Sequence, residues 1–119
     1  ADLLLIEGAG GWRVPLNDRE TYSAVPRELG VPVVLVVALR LGCINQALLT
    51  AEAIRNDGLV LAGWVANHAE PAVMSCEQET LDYLMEHIGA PCLGVIPWIE
   101  GAEPEILSGY LDVDVLFEN

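Results

Sequence analysis

Four apolar runs divide the chain, and each is closed by a glycine, a proline or a polar residue. They cover residues 2–7, 32–39, 58–66 and 92–98. Apolar and polar residues do not alternate within them. The runs therefore predict strands that are buried on both faces, as in a parallel sheet with helices on each side.

Apolar residues recur at intervals of three and four between these runs. This spacing predicts helices over residues 43–56 and 76–88, and it predicts weaker helical segments at 18–29 and 103–109. Pro26 interrupts the first of the weak segments. The tail, YLDVDVLF, is compatible with a late edge strand or with irregular packing.

The order strand–loop–strand–helix–strand–helix–strand predicts an α/β fold with a doubly wound, mostly parallel sheet. In such sheets ligands bind beyond the carboxyl ends of the strands. Here those ends fall at residues 7–11, 39–43, 66–68 and 97–100. We therefore expect these four segments to converge on one edge of the sheet.

The charge balance restricts the choice of partner. Eighteen acidic residues face five basic ones, all arginines, and the net charge is −13. Nucleic acids and anionic membranes both need a basic surface, so neither is expected as a partner. No apolar run is long enough to span a membrane.

Cysteine and histidine give no metal-binding signature. The three cysteines are far apart with no CxxC pair, and the two histidines are isolated. This pattern favours reduced thiols in a cytoplasmic protein and argues against a zinc site.

The first run opens into a turn that is nearly free of side chains. Glu7 is followed by Gly8, Ala9, Gly10 and Gly11. A strand-end carboxylate is a suitable Mg²⁺ ligand, and a glycine-rich turn can direct backbone N–H groups at phosphate. The alternative is a tight turn with a solvated glutamate.

The remaining strand ends offer weaker candidates. Residues 40–45, RLGCIN, precede the 43–56 helix, whose free N–H groups suit a carboxylate or phosphate. Asn67 could read the edge of a heterocycle, and Trp98 could cover one, although a turn and a core position are the simpler interpretations. Cys43 is expected to be structural rather than catalytic. The phosphate loop GxxxxGK[ST] does not occur, and the sequence has no lysine.

Four blocks together resemble dethiobiotin synthetase: IEGAGGWRVPLND, PVVLVVALRLGCINQALLTAEAI, LAGWVANH and APCLGVIPW. The resemblance covers the whole chain and the C-terminal half of that enzyme. It implies a P-loop NTPase-like α/β subunit, with residues 1–119 forming part of a single domain, and a homodimer. It also implies conversion of 7,8-diaminopelargonic acid, CO₂ and MgATP to dethiobiotin, ADP and phosphate.

The same resemblance implies roles for individual residues. Glu7 corresponds to the Mg²⁺ ligand, and Gly8 to Gly11 correspond to the loop beside the phosphates and the diamine. The residues matched to nucleotide contacts at the base are Asn67, His68, Pro97, Trp98, Ile99 and Glu105. Those matched to the carboxylate of the substrate, across the dimer interface, are Leu41, Gly42, Cys43, Ile44 and Asn45. Thr80 lies where some members carry a substrate-binding tyrosine.

The catalytic lysines of the family have no counterpart here, so we expect this chain alone to be inactive. We also expect it to be poorly stable alone, because the sheet of the whole enzyme would be cut along strands that are meant to be paired and covered. The non-Met start and the immediate entry into a strand-like run suggest a piece of a longer chain. Two alternatives stay open: a P-loop enzyme of the cobyrinate-amidating type, and an inactive fragment or half that serves in dimerisation or ligand binding.

Overall fold

A computed structural model describes residues 2–118. The strands are β1 (Val33–Ala38), β2 (Leu61–Asn67) and β3 (Cys92–Ile96). The helices are α1 (Ala24–Leu29), α2 (Cys43–Asn56), α3 (Glu77–His87) and α4 (Pro104–Ser108), with a 3₁₀ turn at Asp114–Phe117. No helix in this part of the chain is long and apolar enough to cross a membrane.

The three strands form one parallel sheet in the order β1-β2-β3. Ala38 pairs with Asn67, and Asn67 pairs with Ile96, so the carboxyl ends of all three strands lie in one row. The predicted α/β class with a parallel sheet is confirmed.

The core lies between the sheet and the two long helices. Helix α2 has the predicted bounds and buries a stripe of small and branched side chains, Cys43, Ala47, Ala51 and Ile54. Trp64 in β2 is fully buried, and its indole N–H donates to the carbonyl oxygen of Ala90 at 3.2 Å. This bond satisfies the one polar group that the ring brings into the core.

The weak helix predicted at 18–29 is shorter in the structure. The side-chain oxygen of Asn17 accepts hydrogen bonds from the backbone amides of Arg19 and Glu20, both at 2.9 Å. This local turn competes with a helix, which begins only at Ala24. Pro26 lies in the first turn, where its missing N–H needs no partner inside the helix.

The strand predicted at residues 2–7 is wrong. These residues have no regular secondary structure, and Leu4 and Leu5 are 80% and 85% exposed. A buried parallel strand needs a hydrogen-bonded neighbour. Within residues 2–118 the sheet ends at β1, and no described strand pairs with the segment.

The sheet is open on the β1 side. Val34 and Val36 are exposed, whereas Val33 and Leu35 pack on the core, so β1 buries one face against α2. Residues 4–6 and the length of β1 line one groove of about 780 Å³. An open edge rich in β-branched residues favours self-association. The poor stability expected of this chain stays a prediction.

The tail takes the irregular alternative rather than an edge strand. Leu111 forms a single antiparallel bridge with Gly94, and the amide of Asp112 donates to Leu93 at 2.8 Å. These contacts hold the tail against β3. Strand β3 ends at Ile96, two residues before the end of the predicted run 92–98. The next residue is Pro97, which has no N–H to donate.

Candidate functional site

Three of the four predicted segments meet at the carboxyl edge of the sheet. The amide of Leu39 donates to Asn67, and the amide of His68 donates to Ile96, both at 2.9 Å. These bonds continue the strand register by one residue. The sheet therefore fixes the starting points of the loops after β1, β2 and β3 relative to one another.

The glycine turn after Glu7 has a backbone that only glycine adopts easily. Gly10 and Gly11 have φ values of +91° and +108°. A Cβ atom on Gly8 would lie 2.6 Å from the ring of Tyr22, whose hydroxyl donates to the Glu7 carbonyl at 3.1 Å. Tyr22 therefore covers the turn and holds it close to the residues that precede α1.

One groove connects this turn with the start of α2. Its volume is about 780 Å³. The lining residues drawn from the predicted segments are Gly8, Gly10, Gly11, Arg40 and Cys43. Glu7, Asn67 and Trp98 do not line it. The structure thus joins the predicted phosphate turn to the predicted carboxylate site, and it keeps the base-binding candidates apart from this groove.

The start of α2 is suited to an anion. Gly42 caps the helix in a left-handed conformation with φ +93°, and no side chain among residues 2–118 caps the first turn. The amides of Ile44 and Asn45 likewise make no hydrogen bond to another residue of this range. Free N–H groups at a helix start, next to Arg40, provide donors and positive potential for a carboxylate or phosphate.

A long-range ion pair anchors the chain just after the glycine turn. Arg13 donates to both carboxylate oxygens of Asp57 at 2.7 and 2.9 Å, and the Trp12 indole N–H donates to the same carboxylate at 2.8 Å. Arg13 also donates to the buried hydroxyl of Ser23 at 3.0 Å. The turn is therefore held to the C-terminal end of α2.

The pair shifts the ionisation of both partners. The hydrogen bonds from Arg13 are the main cause that lowers the pKa of Asp57; the Trp12 bond adds to them and burial opposes them. The hydrogen bond to Asp57 raises the pKa of Arg13. The Arg13 side chain is half exposed, so solvent weakens the pair.

Replacing Asp57 by asparagine is expected to lower the free energy of unfolding by about 1 kcal/mol at neutral pH. The folded pKa of Asp57 is depressed, so its contribution exists above the unfolded value, about 3.9, and is lost as pH falls through the folded pKa. Urea unfolding of both proteins at several pH values should show that the difference in their free energies of unfolding becomes smaller in acid. Asp18→Asn is the control, because Asp18 is exposed and makes no side-chain hydrogen bond among residues 2–118. A gap that persists in acid would contradict the ionic origin of the effect.

The base-binding candidates lie around the ends of β2 and β3. Asn67 is partly buried, and its amide group makes no side-chain hydrogen bond to another described residue, so a donor and an acceptor stay available. Trp98 and Ile99 are exposed beyond Pro97, and Glu105 is exposed on α4. This arrangement provides one amide and one exposed aromatic surface at neighbouring strand ends.

His68, which the resemblance matches to the nucleotide base, directs both nitrogens of its ring at protein atoms. Its ring Nδ1 lies 2.9 Å from the Ile96 carbonyl, and its Nε2 contacts the carboxylate of Glu77 at the start of α3. Both ring nitrogens are thus occupied by protein partners. Sequence analysis did not identify Glu77, because its place in the first turn of the predicted 76–88 helix indicates only a favourable charge at that helix end.

The donor set for a metal is small. No group of three or more acidic, histidine or cysteine side chains that could hold a metal occurs among residues 2–118. Glu7 is an exposed carboxylate beside the glycine turn. A single carboxylate fits Mg²⁺, which commonly takes its remaining ligands from water and phosphate.

A family model described as AAA domain matches residues 1–105. The chain belongs to this family of AAA domains. That membership agrees with the predicted P-loop NTPase-like fold class.

Relatives with high identity along the whole chain carry one name, ATP-dependent dethiobiotin synthetase. A protein of Marinobacter nauticus is 70% identical over all of this chain and 53% of its own length. Relatives from Pseudomonas aeruginosa and Cellvibrio japonicus are 58% and 54% identical over 95% and 99% of this chain. The predicted resemblance is confirmed, and the chain spans about half the length of the curated relatives it matches.

Proposed function

We propose that this AAA domain chain contributes binding surfaces to an ATP-dependent dethiobiotin synthetase of biotin biosynthesis. The observation that carries the proposal is the 70% identity along the whole chain to a relative of that name. The glycine turn and the start of α2 support it, because each supplies backbone N–H donors suited to an anion.

The reaction proposed for the full-length protein has three steps. One amine of 7,8-diaminopelargonic acid adds to CO₂, releases a proton and forms a carbamate. A carbamate oxygen takes the γ-phosphoryl group of ATP, and ADP leaves. The second amine then attacks the carbonyl carbon and loses a proton, and phosphate leaves as the ring closes.

The residues described here bind and orient rather than transfer protons. We assign Glu7 to Mg²⁺, which supplies charge neutralisation at the phosphates when it is bound. The amides of the glycine turn face the phosphates and the reacting diamine. The amides at the start of α2 hold the carboxylate of the substrate, in the proposed homodimer across the subunit interface. Asn67 and the 97–99 segment take the adenine base.

The 119-residue chain by itself is expected to show neither ATP hydrolysis nor dethiobiotin formation. Phosphoryl transfer in P-loop enzymes relies on a lysine at the β- and γ-phosphates, and this sequence has none. The measurement is mass spectrometry of product after incubation with the diamine, bicarbonate and MgATP. The full-length protein is the positive control and should form dethiobiotin. Turnover by the 119-residue chain would refute the need for residues from outside it.

A second candidate function for the 119-residue chain is a non-catalytic binding half, which the absence of lysine from these residues favours. Under that candidate the chain by itself would bind nucleotide or substrate without forming product. Nucleotide binding by the 119-residue chain without turnover would support it.

A further inference from the structure

His68 connects three elements that surround the proposed adenine site. It follows Asn67 at the end of β2, its ring Nδ1 lies 2.9 Å from the Ile96 carbonyl at the end of β3, and its Nε2 contacts Glu77 at the start of α3. Its backbone amide also donates to Ile96 at 2.9 Å. The side chain is 16% exposed and that of Glu77 22% exposed, so water competes weakly for these contacts.

The two partners of the ring are both hydrogen-bond acceptors. A backbone carbonyl accepts only, and so does an ionised carboxylate. A neutral imidazole has a single N–H, so one ring nitrogen would present its lone pair to an acceptor. Both contacts are satisfied only when the pair holds one further proton, as imidazolium with carboxylate or as imidazole with carboxylic acid.

We propose that His68 and Glu77 form a proton-dependent clip that positions Asn67 and the Pro97–Trp98 segment for nucleotide binding. His68 is thereby a positioning residue, not a base contact, because both its ring nitrogens are bound to protein atoms. The inference rests on the proposed nucleotide site. It extends that proposal by making the affinity for adenine nucleotide depend on one proton outside the site.

The charged surroundings of the ring are limited. The Ile96 carbonyl faces it from β3 and the Glu77 carboxylate from α3, and Glu77 is the one ionisable partner within ion-pair distance among residues 2–118. The clip is complete while the extra proton is held. It opens when that proton is lost, because the neutral ring then turns a lone pair toward one of its two acceptors, the Ile96 carbonyl or the Glu77 carboxylate.

The conservative variant Glu77→Gln distinguishes a proton-dependent clip from a merely structural contact. A glutamine amide can donate to the lone pair of a neutral imidazole, and its oxygen can accept from an imidazolium. The variant therefore keeps the contact in either state of the ring. It is expected to bind nucleotide with an affinity that does not change with the protonation of His68.

The experiment measures ADP binding to the full-length protein by calorimetry between about pH 5 and about pH 8. The ratio of wild-type affinity to Glu77→Gln affinity should fall about tenfold over this range, and taking the ratio cancels the titration of the ADP phosphates. His68→Ala should bind about tenfold more weakly than wild type at the acidic end. His87→Gln is the control and should follow wild type at every pH, because His87 is exposed at the other end of α3 and its Nδ1 contacts the Tyr83 carbonyl of its own helix.

Hydrogen exchange of the His68 amide, which donates to the Ile96 carbonyl, tests the clip in the absence of nucleotide. Exchange should speed up in His68→Ala and stay slow in Glu77→Gln. ADP binding with no difference in pH dependence between wild type and Glu77→Gln would overturn the inference and leave the proposed function intact. A folded protein with a protected His68 amide that binds no ADP at any pH would overturn both the proposed nucleotide site and the positioning role.

Discussion

Replacing Gly94 by alanine is expected to lower the free energy of unfolding by roughly 3 kcal/mol, an effect typical of a forced backbone clash. A Cβ atom at this position would lie 2.0 Å from the carbonyl oxygen of Tyr110 and 3.0 Å from its carbonyl carbon. Both are backbone atoms, so no side-chain rotation can relieve the clash. The chain must either distort β3 or release the tail from it.

The consequence extends beyond Gly94 because the tail is attached at this point. Leu111 pairs with Gly94, and Asp112 donates to Leu93 at 2.8 Å. Urea unfolding gives the stability, and limited proteolysis reports whether residues 110–118 have detached. Gly109→Ala is the matched control: Gly109 has helical dihedrals, φ −63° and ψ −16°, and its added Cβ would meet the Ile106 carbonyl at 3.3 Å. Equal stability of Gly94→Ala and the control, with the tail protected, would show that the close approach is absent in solution.

The sequence predicted the elements whose signals are local. Helix α2 begins at Cys43 and ends at Asn56 as predicted. Its apolar spacing and the glycine at position 58 that follows it are both local signals in the sequence. The three strands were found by the same local reasoning. The run at 2–7 also carries a strand signal, yet it forms no strand, because pairing depends on a neighbour that the run does not itself contain.

The contacts that shape the candidate site are long-range, and spacing along the chain does not reveal them. Arg13 and Asp57 are 44 residues apart, and His68 meets a carbonyl 28 residues away. Each contact depends on how a loop is placed after the strands have taken their register. The resemblance to dethiobiotin synthetase identified candidate binding residues, His68 among them, but it did not indicate the contact between His68 and Glu77. The roles of those candidates stay predictions.

Replacing Glu7 by glutamine in the full-length protein is expected to reduce the rate of dethiobiotin formation by about 10²- to 10³-fold. Glutamine keeps the size of the side chain and removes the charge that a Mg²⁺ ion requires of its carboxylate ligand. The structure indicates that this variant should change the charge at Glu7 without disturbing the fold. The Glu7 side chain is exposed and has no hydrogen bond to another described residue, and only its carbonyl oxygen is used, by Tyr22 at 3.1 Å. Folding stability should therefore be unchanged.

The position of Glu7 relative to the base-binding candidates makes the test selective. Asn67 ends β2 and Trp98 follows β3, whereas Glu7 belongs to neither strand. Glu7→Gln should therefore leave the affinity for adenosine unchanged, while a higher Mg²⁺ concentration becomes necessary for turnover. Glu52→Gln, an exposed carboxylate on α2, controls for the general loss of one negative charge from a chain with a net charge of −13. Steady-state rates measured across a Mg²⁺ titration provide the readout. An unchanged rate and Mg²⁺ requirement in Glu7→Gln would remove Glu7 from the metal site, and the turn that follows it would then serve the phosphates through its backbone alone.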